Sequence, residues 1–169
     1  AVSDVYDYAI NYLPINKERI GIWGHSMGGM VAVYAATKKP GNFKALCGSE
    51  LSSGAMSTSG RNTIDAWKDK NGAKVDTEIF GTIWLPADYF LDRMQYKTIA
   101  VVENLYIPQL YIAGTRDDMV KAASVRAIFD AANDPKEYVE FDMDHFYKRD
   151  SNALKKVNGL TTEFFVSKL

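Results

Sequence analysis

Gly24-His25-Ser26-Met27-Gly28-Gly29 sets a serine in a G-x-S-x-G pattern, between the apolar run Arg19-Ile20-Gly21-Ile22-Trp23 and the helical stretch Met30-Val31-Ala32-Val33-Tyr34-Ala35-Ala36. A strand, a sharp turn and a helix in that order lift a serine hydroxyl away from the backbone, and glycine two residues either side avoids a Cβ clash in the turn. Ser26 is therefore the candidate nucleophile. A serine hydroxyl reacts poorly near neutral pH, so it needs a base within hydrogen-bond reach and an acid that orients the base.

The chain offers two histidines. His25 adjoins Ser26, and a side chain next to the nucleophile in such a turn points elsewhere, so His25 reads as a packing or hydrogen-bonding residue. His145, in Glu140-Phe141-Asp142-Met143-Asp144-His145-Phe146, follows a strand-like run and is the candidate base. Gly114-Thr115-Arg116-Asp117-Asp118-Met119-Val120 puts two carboxylates after another strand, at the end where parallel α/β sheets place their sites. Asp117 and Asp118 both qualify as the acid, Asp118 being equally suited to cap the next helix. Glu50, beyond the strand-like run Phe43 to Cys47, is a third carboxylate. The backbone N–H of Met27, at the helix start, would face a developing oxyanion. Two histidines so far apart in sequence leave no convincing ligand cluster, so neither a metal nor a cofactor is expected.

The elements that must carry these residues alternate. Ser3 can cap a helix through Tyr12, with Val5, Tyr8, Ala9 and Tyr12 at helical spacing and Pro14 beyond its end. The spacing then predicts strands at Phe43 to Cys47, Ile107 to Gly114 and Glu137 to Phe141. A helix is expected from about Val120 to Ala132, and another along Leu154, Val157, Thr161 and Phe164, with Phe165 widening its face. Leu51 to Gly60 reads as an irregular loop. Residues 61 to 107 read as a small helical insertion, with helices at Thr63 to Lys70 and after Pro86, the latter carrying Tyr89, Phe90 and Met94, and a turn at Asn71-Gly72. Alternating strands and helices predict an α/β fold, a parallel sheet with helices on both faces.

With 169 residues the chain suits one domain. Its 20 Lys and Arg against 21 Asp and Glu form no basic stripe, which argues against nucleic acid as a partner. No apolar stretch approaches the roughly 20 residues of a membrane span. Cys47, the one cysteine, lies in an apolar run and reads as a buried structural thiol.

Gly24 to Gly29, Pro108 to Asp117 and Asp144-His145-Phe146 together resemble the α/β-hydrolase superfamily across nearly the whole chain. Asp7 to Gly29, with Leu13-Pro14 and Glu18-Arg19-Ile20-Gly21-Ile22-Trp23, is similar to dienelactone-hydrolase-like esterases and to the catalytic domain of prolyl-oligopeptidase-type peptidases. The turn also resembles that of cutinase-like polyesterases. Dienelactone hydrolases proper carry cysteine where this chain has Ser26. The resemblance implies a triad of Ser26, Asp117 and His145, in the chain order of that fold, and favours Asp117 over Asp118. It implies cleavage of a small carboxylic ester through an acyl-enzyme. It also implies a single domain over residues 1–169 with a cap-like insertion at about 51–106 that shapes the pocket. The family sheet has eight strands, and this sequence would correspond to its C-terminal half, about four strands. The strand delivering Ser26 would then be an exposed edge, covered by a second copy of the chain or an N-terminal fragment. Met27 would be the only oxyanion donor the chain supplies.

Overall fold

In the computed structural model, which describes residues 2–54, 71–77 and 81–169, the chain runs α1 (Val2–Tyr12), β1 (Gly21–His25), α2 (Met27–Lys38), β2 (Ala45–Ser49), β3 (Gly72–Thr77), β4 (Gly81–Pro86), α3 (Ala87–Arg93), α4 (Thr98–Val102), β5 (Gln109–Gly114), α5 (Ala122–Ala131), β6 (Lys136–Phe141), a 3-10 turn at Tyr147–Arg149, and α6 (Ser151–Lys168). It divides into two compact units, Ala1–Ser53 with Thr98–Leu169, and Gly54–Lys97.

The first unit is built on a parallel sheet in the order β1-β2-β5-β6. β2 and β5, buried along their whole length, are the central strands, and their near-continuous apolar sequences suit strands covered on both faces. Because successive side chains point to opposite faces, the two strands feed two cores. Leu46, Tyr111 and Ala113 pack with Ala32, Val33 and Ala36 of α2, Val102 of α4, and Val125 and Ile128 of α5. Ala45, Cys47, Leu110 and Ile112 pack on the other side with Ala153, Val157 and Phe164 of α6. Helices thus cover both faces, as the alternation predicts. Among the described residues β1, the strand that leads to Ser26, pairs with β2 alone and forms one edge of this sheet.

Local boundaries differ from the expected ones by a residue or two. β2 starts at Ala45 rather than Phe43 and continues to Ser49, while β5 starts at Gln109 and α5 covers Ala122–Ala131. Ser3 lies inside α1 and does not cap it. Asp150 caps α6, its carboxylate accepting from the backbone N–H groups of Asn152 and Ala153. Cys47 is fully buried, and desolvation pushes its thiol up to about 12 despite the neighbouring Thr161 hydroxyl, so it is an inert core group.

The second unit corrects the expected helical insertion. β3 and β4 form an antiparallel hairpin in register from Gly72↔Pro86 to Thr77↔Gly81, followed by α3. Thr82-Ile83-Trp84 combines β-branched and aromatic residues, a composition that favours a strand over a helix. Asn71 takes a left-handed φ of 55°, and a Cβ on Gly72 would lie 2.3 Å from the Leu85 carbonyl oxygen, so the hairpin enters through a turn that requires glycine. The helix expected after Pro86 is present, with Tyr89 and Phe90 on it and Met94 at its C-cap. The helix expected at Thr63 to Lys70 lies outside the described residues. Within the first unit, the chain leaves and returns at one point: Thr98 donates its N–H to the Ser53 carbonyl at 3.0 Å and its hydroxyl to the Ser52 carbonyl at 2.9 Å. Among the described residues no helix is long and apolar enough to cross a membrane.

Leu46 is fully buried between the sheet and the helices on its face. Leu46→Ala is expected to lower unfolding free energy by about 2–5 kcal/mol, read from urea titration; a loss below about 1 kcal/mol would contradict this packing.

Candidate active site

Ser26 sits between β1 and α2 with φ 56° and ψ −124°, a left-handed backbone for a residue that is not glycine. Such a conformation costs on the order of 1–3 kcal/mol and survives only where neighbours enforce it. Here they do: Ser26 donates its N–H to the Ser49 carbonyl at 3.0 Å, and its own carbonyl accepts from Gly29 at 3.1 Å and Ser52 at 3.0 Å. A Cβ on Gly24 would lie 2.3 Å from the Gly28 carbonyl oxygen, so the turn closes only because Gly24 has none. Gly28 differs from expectation, since among the described residues a Cβ there would meet nothing within 4 Å. The third glycine is the crowded one: a Cβ on Gly29 would stand 2.9 Å from Leu51 Cγ. Met27 is the first residue of α2, at the positive end of the helix dipole.

Asp117 and His145, 28 residues apart, meet in the fold. His145 Nδ1 lies 2.7 Å from Asp117 Oδ2, both side chains being almost completely buried. The other oxygen, Oδ1, accepts from the backbone N–H groups of Met119 and Val120 at 2.8 Å each, so the carboxylate is clamped. With that oxygen accepting, the Nδ1–H···Oδ2 bond leaves Nε2 of neutral His145 as a proton acceptor. The loops carrying the pair are joined from below by the β5–β6 register Gly114↔Phe141. Above the strands, Arg116 donates its N–H to the Met143 carbonyl and its Nε–H to Asp142 Oδ1. Asp118, the rival acid, is exposed and paired with Lys121, whose hydrogen bond and charge hold its carboxyl below the ordinary range; it neither reaches His145 nor caps α5.

Glu50 is not an alternative partner for His145. It is fully buried just beyond β2, at φ 47°, and its Oε2 lies 2.8 Å from His25 Nε2. The same nitrogen is 3.2 Å from the His145 carbonyl oxygen, and the two imidazole rings stand 4.8 Å apart. The fold therefore gathers the two histidines that the sequence keeps far apart. His25, Glu50 and His145 bring ligand atoms within 4.8 Å of one another, a spacing a metal ion can bridge. The existing hydrogen bonds, however, occupy His25 Nε2 and His145 Nδ1. The pairing of His25 with Glu50 is what sequence reasoning missed. A signal for it exists in the register, because His25 pairs with Ser49 and Glu50 is the next residue.

The sequence matches the prolyl oligopeptidase family over residues 2–169. The chain belongs to that family. No curated protein matches it. Among solved structures it is similar to a monoacylglycerol lipase from Paleococcus ferrophilus, at 16% identity and a TM-score of 0.77, over 99% of this chain and 73% of that one. It is also similar to the α/β-hydrolase GrgF from Penicillium sp. sh18, at 12% identity and a TM-score of 0.84, over 99% of this chain and 70% of that one. For the esterase domain of a Rhodothermus marinus protein the values are 17%, 0.63, 92% and 62%. At these identities the likeness shows the fold, which is that of the α/β-hydrolases. Membership of the prolyl oligopeptidase family together with this fold supports a hydrolase function.

Gly24→Ala is expected to lower the melting temperature and Gly28→Ala to leave it unchanged or raise it, since a free Cβ at the start of a helix favours the helix; the reverse order in thermal melts would contradict the turn geometry. Burial raises the Glu50 carboxyl above its ordinary 4.5; the hydrogen bond from His25 opposes that shift and the Asp117 charge adds to it. A carboxyl raised in the folded state holds more protons than in the unfolded state, so its contribution to stability falls as pH rises from about 4.5 through the folded value. The stability of the native chain relative to Glu50→Gln should therefore fall with rising pH across that window in denaturant titrations. A difference that grows instead would refute the assignment.

Proposed function

We propose that this chain carries the catalytic centre of a serine hydrolase that cleaves carboxylic esters. Ser26 is its nucleophile, His145 its base, Asp117 the acid that orients the base, and Met27 N–H an oxyanion donor. The observation that carries the reading is the buried Asp117–His145 pair, which leaves Nε2 as proton acceptor at the end of the sheet where the strained serine turn stands. Ser26 Oγ attacks the ester carbonyl carbon while His145 Nε2 takes its proton. The carbonyl oxygen becomes an oxyanion facing the Met27 N–H at the positive end of α2. Collapse expels the alcohol, which takes the proton back from Nε2–H, and leaves an acyl group on Ser26. Water, deprotonated by Nε2, then attacks the acyl carbon; collapse breaks the bond to Ser26 Oγ, which takes the proton back from Nε2–H, and the carboxylic acid leaves. Asp117 stays ionised throughout and stabilises the imidazolium that forms twice per cycle.

Membership of the prolyl oligopeptidase family favours one second reading, a peptidase using the same acyl chemistry with an amine as leaving group. Matched ester and amide substrates of one acyl group separate the two. An ester reading requires kcat/KM for the amide to be far lower.

A fluorophosphonate probe should label the native chain and leave Ser26→Ala unlabelled; no labelling of a folded sample would overturn the reading. Asp117→Asn should reduce p-nitrophenyl acetate turnover by about a thousandfold to ten-thousandfold, as loss of the orienting acid does elsewhere. Asp118→Asn should leave turnover within about twofold, its carboxylate being a solvent-exposed ion-pair partner. Equal losses would sink the assignment.

A further inference from the structure

We propose that His25 and Glu50 are positioning residues for the base: the Nε2–H of His25, oriented by the Glu50 carboxyl, donates to the backbone carbonyl of His145 and fixes where its imidazole stands. The inference rests on the reading of His145 as the base for Ser26.

A backbone carbonyl can only accept a hydrogen bond, so the 3.2 Å approach of His25 Nε2 to the His145 oxygen places the proton on Nε2. That proton is shared with Glu50 Oε2 at 2.8 Å. His145 is thereby gripped at both ends, its ring by Asp117 and its backbone by His25. The side of the His25 ring is closed by the edge of Tyr147, with centroids 5.4 Å apart.

Stability alone does not account for Glu50. It is fully buried, its Oε1 has no hydrogen-bond partner among the described residues, and a Cβ on Gly114 would stand 2.7 Å from that oxygen. Burying a carboxyl with one oxygen unsatisfied is costly, and well-packed apolar residues in such a place are often as stable or more so. What apolar residues cannot supply is a directional link between the segment that holds Ser26 and the loop that holds His145. His25 is one peptide bond from Ser26, so the bridge ties the nucleophile turn and the base into one piece. Misplacement by about 1 Å can cost on the order of a hundredfold in rate, which is the tolerance such a link serves.

The test compares His25→Leu, which removes the donor, with His25→Gln, whose amide carries N–H groups close to the Nε2 position. Two readouts are used: the second-order rate of Ser26 labelling by a fluorophosphonate, and the ring spectra of the two histidines by 15N–1H NMR. His25→Leu should slow labelling by about tenfold to a hundredfold while remaining folded by circular dichroism, and His25→Gln should recover most of the loss. The native spectrum should show His25 protonated at Nε2. The low-field Nδ1 proton of His145, held by Asp117, should shift or broaden in the leucine variant and return in the glutamine variant. A folded His25→Leu that labels within twofold of the native chain, or a glutamine variant no better than leucine, would overturn the inference. If the native chain is not labelled at Ser26, it is the hydrolase reading that fails. The spectra then still decide on the bridge, because an Nδ1–H tautomer at His25 or an unmoved His145 Nδ1 proton would refute it.

Discussion

The backbone of Ser26 is the constraint around which the first unit is organised. A left-handed φ at a serine is unfavourable in isolation, and the turn persists because the Ser49 carbonyl holds its N–H while Gly29 and Ser52 hold its carbonyl. Those partners belong to three segments: the end of β2, the first turn of α2, and the chain just past Glu50. Their convergence requires that β1 and β2 lie side by side in parallel, with His25 opposite Ser49. It also requires α2 to approach its strand closely enough that Gly24 and Gly29 touch backbone and Leu51 with no Cβ between. The two cores on either face of the sheet supply the burial that offsets this local cost.

Parallel pairing has a second consequence. All four strands end on the same side, so residues distant in sequence gather there without any one segment being long: His25 from β1, Glu50 beyond β2, Asp117 beyond β5 and His145 beyond β6. Two carboxyl–imidazole pairs result, and they differ in kind. Asp117 has both oxygens satisfied, one by His145 and one by two backbone N–H groups, which fixes the carboxyl group in place. Glu50 has one oxygen bonded and one orphaned in a dry environment, which is why burial drives its carboxyl upward. The same end of the sheet therefore holds one carboxylate with both oxygens hydrogen-bonded and one with an orphaned oxygen whose carboxyl burial pushes up.

How much of this the sequence carries depends on the range of the interaction. The strand–turn–helix at Ser26 is a local pattern, and so it is legible from glycine spacing and flanking apolar runs. The alternation that defines the sheet is legible too, because β2 and β5 are continuously apolar and the intervening helices carry their own period. Asp117 against Asp118 is not decided by residue type: adjacent carboxylates have the same propensities, and the folded turn, in which Met119 and Val120 hold Asp117 Oδ1 while Oδ2 meets His145, separates them. The bond of His25 to Glu50 was missed for the same reason, as it follows from which strands are neighbours and not from anything near either residue. The hairpin of the second unit escaped although Ala73-Lys74-Val75-Asp76 alternates, because two strands of six residues each give short windows, and Gly81-Thr82-Ile83-Trp84-Leu85-Pro86 shows no alternation to support the first.

Gly28 shows where a motif and its physical cause part company. The pattern places glycine on both sides of the serine, yet among the described residues only Gly24 and Gly29 are enclosed, with nothing within 4 Å of a Cβ at Gly28. Steric need within the turn thus accounts for two of the three glycines. A glycine that the turn does not require, on the exposed first turn of α2 beside Ser26, keeps backbone accessible at the place where the proposed oxyanion donor Met27 begins the helix. A Cβ there would meet no described atom within 4 Å and would not disturb the turn. Gly28 thus has no steric reason among the described residues, in contrast to Gly24, whose reason is complete within the turn.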